Sequence, residues 1–182
     1  MKISDYIDKY STLRNIKRFN MECTIRPQDL MGHGYSVANL FYLLCECFQV
    51  KHIARADFYV LNHDFAEAFT GDLNRRVKDK NIVTADAWST LEREVLPSHL
   101  RNYSDGFVEK ELKSFGEIYW ELFRLADDLD ALLYCKEEVG LGNSHLERPF
   151  SIYQCKVSER YSELMKREDA PSNGISKVEG LL

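Results

Sequence analysis

The chain has 182 residues, of which 45% are apolar, 12% aromatic and 29% charged, a composition that suits one globular domain with a core of its own. A formal net charge of -5 argues against a general nucleic-acid surface, which would call for a basic patch or stripe. No run of about 18 apolar residues is present, so no membrane span is expected.

The segment Met1 to Asp8 carries acidic residues and no long apolar stretch, and does not read as a signal peptide. Five cysteines, Cys23, Cys45, Cys47, Cys135 and Cys155, are odd in number and lack a C-x-x-C spacing. They read as free, mostly buried thiols of a reducing compartment, which makes the cytoplasm the expected setting.

Only four prolines and nine glycines punctuate the chain. Long apolar-periodic stretches dominate and no hairpin signals separate alternating strands, so the fold class is all-α, a single domain of about six or more helices. A short helix is expected over about residues 4–13, followed by an irregular segment, 14–32, that contains Pro27. A second helix is expected over about 34–49, with the stripe Val37, Leu40, Phe41, Leu44 and Phe48 at helical spacing. A third is expected over about 55–69, stopping at Thr70-Gly71-Asp72. A polar loop with Arg75, Arg76, Lys78, Asp79 and Lys80 leads to a fourth helix ending near Pro97. After Ser104-Asp105-Gly106 the longest helical stretch is expected over about 108–139, and a last helix over about 149–166. The domain is therefore residues 1–166, with a polar, frayed tail over 167–182.

Three places combine ionisable side chains with apolar faces. His33 heads the stripe that continues through Val37, Leu40 and Phe41, so it should point inward. His63 shares a face with Ala56, Tyr59, Val60 and Glu67, and a carboxylate on such a face is costly to bury without a partner or a metal. Asp64 follows at once. Asp127 shares a face with Trp120, Phe123, Ala131 and Tyr134 and should be buried, whereas Asp128 reads as a surface residue paired with Arg124. Asp130 is a reserve candidate. Taken singly, each has an ordinary structural explanation: a hydrogen-bonded core histidine, a chance His-Asp dipeptide, a carboxylate capped by a neighbour. Taken together, two imidazoles and two carboxylates make a site suited to one divalent ion, Mn, Co, Zn, Ni, Fe or Mg. Glu67, one turn past His63, is placed to orient a water or pass protons.

These residues resemble a known family. His33, the stretch Asn62-His63-Asp64-Phe65-Ala66-Glu67-Ala68-Phe69-Thr70-Gly71-Asp72 and the stretch Leu125-Ala126-Asp127-Asp128-Leu129-Asp130 are similar to the HD-domain 5'-deoxynucleotidases. Within them H-D-x-x-E-x-x-T-G-D is the most diagnostic run. Glu137-Glu138 with Gly142-Asn143 resembles the family's E-E-x-x-x-G-N. The resemblance implies a helical fold, metal ligands at His33, His63, Asp64 and Asp127, and roles for Glu67 and Asp72 in catalysis and in holding the sugar or phosphate. It also implies that Arg18 meets the phosphate, as a guanidinium suits, that Phe19 lies against the nucleoside, and that Lys78 adds a contact to substrate.

The chain departs from the pattern at several points. Gly32 and Gly34 flank His33 where the family carries an acid and a serine. Leu73-Asn74-Arg75-Arg76-Val77-Lys78 lacks the two prolines usual after Gly-Asp. Phe19 stands where tryptophan is common. The expected activity is hydrolysis of deoxynucleoside 5'-monophosphates. Alternatives are a deoxynucleoside triphosphate triphosphohydrolase, an alarmone hydrolase, or a non-catalytic helical module. The expected partner is a nucleotide, with no nucleic-acid polymer and no membrane. A homo-oligomer, dimer favoured, is also implied. In the last helix Ile152, Tyr153, Val157 and Tyr161 would pack either a second subunit or the protein's own core.

Overall fold

A computed structural model describes residues 3–72, 87, 90, 91, 93–96 and 105–167. Helix α1 (Ile3–Thr12) runs into a 3-10 turn, Leu13–Asn15. An irregular segment follows, closed on itself by the antiparallel bridge between Lys17 and Asp29. Then come α2 (Leu30–Cys47), α3 (Ala54–Leu61), α4 (Glu67–Thr70), α5 (Asp105–Phe115) and α6 (Glu117–Gly140). A 3-10 turn, Ser144–Leu146, leads to α7 (Glu147–Met165). Every regular element among the described residues is helical, as the periodicity requires. The expected fourth helix is described only at residues 87, 90, 91 and 93–95, which are helical. The loop with Arg75, Arg76 and Lys78, and the tail after Arg167, lie outside the described residues.

Three boundaries differ from expectation, each for a local reason. Helix α2 starts at Leu30, four residues earlier than the apolar stripe indicates. Asp29 caps it, its carboxylate accepting the Gly32 amide at 2.8 Å. The third helix ends at Leu61 instead of running to Phe69, and residues 62–66 form a turn before α4. No proline or glycine marks that break. Side chains make it: Asn62 Nδ2 donates to the Phe58 carbonyl at 2.8 Å, and His63 Nδ1 meets the Val60 carbonyl at 2.8 Å, occupying carbonyls at the helix end. The longest stretch is two helices, because Gly116 adopts φ 137° between α5 and α6, a conformation open to glycine at little cost.

Helix α6 is the axis of the fold, packed by α2, α5 and α7. Its Leu122, Leu125, Leu129 and Leu132 join Val37, Phe41 and Leu44 of α2 in one buried cluster. Phe65 and Ala66 of the turn join Leu13, Leu30 and Leu96 in a second. Tyr153, Val157, Tyr161 and Leu164 of α7 are buried in the first cluster, so that face serves the protein's own core, and Ile152 alone of the four expected residues is exposed.

Asp128 corrects the surface assignment. It is fully buried and accepts from Arg160 Nε of α7, a long-range partner that helical spacing alone does not reveal. The cysteines are all free, but only Cys45 and Cys135 are buried; Cys47 is half-buried and Cys23 and Cys155 are exposed. No helix among the described residues is long and apolar enough to cross a membrane.

Candidate metal centre

The early start of α2 places His33 in its first turn, where its imidazole is fully buried. The break after α3 does the complementary job. On a continuous helix His63 and Asp64 would diverge by about 100°; on the 62–66 turn both face His33. His33 Nε2 lies 3.2 Å from His63 Nε2, 3.4 Å from Asp64 Oδ2 and 3.3 Å from Asp127 Oδ1. His63 Nε2 lies 3.3 Å from Asp64 Oδ1. Asp127 comes from the middle of α6 and is partly open, at 17% side-chain exposure, so it lines the mouth of the site where full burial was expected.

The donor set fits a divalent cation. Ligands about 2.1 Å from an ion sit about 3.0–3.4 Å from one another in octahedral or tetrahedral arrangements, which matches these separations. His33, His63 and Asp64 each offer a ligand atom within 4.8 Å of the others. Because the Val60 carbonyl can only accept, His63 carries a proton on Nδ1, and Nε2 is the ring nitrogen that faces the cluster. The local field also calls for positive charge. Burial would lower the His63 pKa, yet the Asp64 carboxylate and Asp127 outweigh it and raise it to about 9. Burial would raise Asp64, but His63, His33 and Arg18 hold it well below the usual carboxylate range.

Gly34 explains one departure from the family pattern. A Cβ there would stand 2.9 Å from the Leu61 carbonyl oxygen, so the head of α2 touches the tail of α3 where a serine would not fit unshifted. At Gly32 an added side chain would meet the Asp29 carboxylate at 3.5 Å, a poor neighbour for the family's acid. Gly34→Ala is expected to push His33 from His63 and weaken cobalt binding about 10–100-fold, the range for lost ligand support. An unchanged cobalt titration would show that this contact does not set the ligand spacing.

The remaining expected residues fall around this centre in different ways. Glu67 opens α4, buried at 5% exposure, with its amide donating to the Asp64 carbonyl at 2.9 Å. Asp72 is half-buried just after Gly71, and its carbonyl accepts from Asn20 Nδ2 at 2.9 Å, which ties it to the Arg18-Phe19 segment. Arg18 lies beside the cluster, with Nη2 3.8 Å from Asp127 Oδ1. Phe19 has φ 52°, an uncommon value for a residue with a Cβ. Its ring stacks on Tyr134 at 5.0 Å and meets Tyr153 edge-on at 6.3 Å. Lys78 lies outside the described residues.

Sequence reasoning left the purpose of two features unread. The first is a latch. Glu138 at the end of α6 accepts the amides of Ile25 and Arg26 at 2.7 and 2.6 Å, and Asn143 Nδ2 bridges Glu138 Oε2 and the Cys23 carbonyl, each at 2.7 Å. The E-E-x-x-x-G-N run thus pins the segment that follows Phe19. The second is Asp130, expected as a reserve ligand, which lies behind His33 at 2.7 Å from its Nδ1. Its spacing of three from Asp127 was the visible signal.

Residues 5–168 match the model of the 5'-deoxynucleotidase YfbR-like family. The 5'-deoxynucleotidase YfbR of Escherichia coli (strain K12 / DH10B) is 27% identical over 177 residues, covering 91% of this chain and 88% of that protein. A 5'-deoxynucleotidase of Citrobacter koseri is 25% identical with the same coverage. Among solved structures, the cyanophage S-2L HD phosphohydrolase DatZ, bound to dA and one catalytic Zn2+ ion, aligns with a TM-score of 0.71 at 18% identity over 95% of this chain and 94% of that one. An HD-domain phosphohydrolase from Listeria innocua aligns with a TM-score of 0.71 at 20% identity over 100% and 96%. These two share the fold. With a match to the family model over nearly its whole length, the chain belongs to the 5'-deoxynucleotidase YfbR-like family.

Proposed function

We propose that the protein hydrolyses deoxynucleoside 5'-monophosphates to deoxynucleoside and inorganic phosphate, with one divalent cation held by His33, His63, Asp64 and Asp127. The approach of His63, Asp64 and Asp127 to the Nε2 of His33, with the Arg18 guanidinium beside Asp127, carries the reading; the names of the family's relatives support the choice of substrate. A cation bound there supplies Lewis acidity, lowering the pKa of water and neutralising phosphate charge. The chain's own residues supply the rest. Arg18 binds and orients the phosphate. Glu67 takes the proton that water loses as its oxygen joins phosphorus and gives it to the O5' leaving group as the P–O5' bond breaks. Asp72 and Phe19 hold the sugar and base, and Lys78 adds a charge toward the phosphate.

The catalytic unit is residues 1–166. The same proposal places the protein in the cytoplasm, which suits five unbridged thiols, and makes it a dimer through a surface other than the buried face of α7.

The test is to incubate protein loaded with Mn, Co, Zn or Mg with each deoxynucleoside monophosphate and to assay free phosphate. Release is the expected result, and none with any pairing would overturn it. Deoxynucleoside triphosphates run in parallel would yield triphosphate if the chain were a triphosphohydrolase. A protein that bound no divalent ion would be a non-catalytic module.

A further inference from the structure

Asp130 stands outside the four donors, 4% exposed, yet three groups converge on its Oδ2: His33 Nδ1 at 2.7 Å, Gln28 Nε2 at 2.9 Å and Arg18 Nη1 at 3.1 Å. The same Arg18 Nη1 lies 2.6 Å from His33 Nδ1 and 3.2 Å from Gln28 Oε1. Two partners therefore compete for one ring nitrogen. A neutral imidazole carries one proton. If His33 Nδ1 accepts from Arg18, which can only donate, the proton sits on Nε2 and points into the cluster of His63, Asp64 and Asp127. If Nδ1 instead donates to Asp130, Nε2 is bare and faces the cation position. The two hydrogen bonds are mutually exclusive, and only the second leaves His33 able to ligate through Nε2.

We propose that Asp130 is a positioning residue that selects the cation-binding tautomer of His33 against the pull of Arg18, with Gln28 as a brace between the two. This rests on the cation reading above. The Gln28 amide has one orientation that serves both neighbours, its oxygen toward the guanidinium and its nitrogen toward the carboxylate. So braced, Arg18 and Asp130 stay side by side, and the carboxylate is the only one of the two that can take the imidazole proton in a hydrogen bond.

The test uses the full chain, labelled with 15N at histidine and loaded with Zn2+. In the parent, His33 is expected to show a protonated Nδ1 and a zinc-bound Nε2. Asp130→Asn keeps the shape and loses the charge; zinc affinity by chelator competition is expected to fall about 10–100-fold, with the His33 Nδ1–H signal lost and thermal unfolding of the metal-free protein little changed. Gln28→Met is expected to give a smaller loss of affinity in the same direction. Parent affinity and a parent His33 spectrum in Asp130→Asn would overturn the inference while leaving the cation reading intact. Should Asp130→Asn fail to fold, the parent decides: ligation of zinc through Nδ1 overturns the inference, and ligation through Nε2 with Nδ1–H present upholds it. A parent that binds no zinc overturns both.

Discussion

His63→Ala is expected to strip the divalent cation and to lower phosphate release from deoxynucleoside monophosphates by at least about 10³-fold, the equivalent of several kcal/mol of lost charge stabilisation. His63 is held for one task. Its Nδ1 is committed to the Val60 carbonyl and its Nε2 stands 3.2 Å from that of His33. Alanine removes one of only two imidazoles and leaves Asp64 and Asp127 facing each other with less compensating charge. Asp127→Ala should act similarly for a different reason, since it removes the only donor that α6 contributes to the cluster among the four. Metal content by elemental analysis and phosphate release are the two measurements. Parent-level values of both in His63→Ala would rule out this cation site.

Glu67→Gln is expected to do the reverse in one respect: turnover falls about 10²–10⁴-fold, the usual worth of general acid–base catalysis, while the bound metal stays. Glutamine has the shape of glutamate and keeps the helix start intact, so the Glu67 amide still donates to the Asp64 carbonyl and the HD turn is unchanged. Only the capacity to take a proton is lost. A kcat equal to the parent's would remove Glu67 from the chemistry. The two variants together separate holding the cation from moving the proton.

Much of this centre was legible because helical period carries direction. His33 heads a stripe whose Val37, Phe41 and Leu44 are buried, and that alone turned it inward. The diagnostic H-D-x-x-E run fixed attention on His63, Asp64 and Glu67. What period does not carry is the end of a helix made by side chains. Asn62 and His63 terminate α3 with no glycine or proline nearby, and the consequence, that neighbouring His63 and Asp64 face one centre, is invisible to a helical projection. Nor does it carry partners from far along the chain. Asp128 looked solvated because its partner Arg160 lies 32 residues away, and Asp130 looked like a spare ligand because Arg18, Gln28 and His33 lie 97 to 112 residues away. Gly116 was a visible signal that apolar periodicity overrode.

Those separations have a kinetic meaning. Helices form from local contacts, whereas each link between the Arg18–His33 region and α6 closes a loop of roughly a hundred residues and bears the entropy of doing so. The Glu138 latch spans 113 residues to Ile25. A chain emerging in order from its N-terminus has His33, His63 and Asp64 long before it has Asp127, Asp130 or Glu138. Three of the four proposed donors are thus made early, and the set stays incomplete until the centre of α6 arrives, so tight capture of the ion belongs to the finished fold and marks its completion.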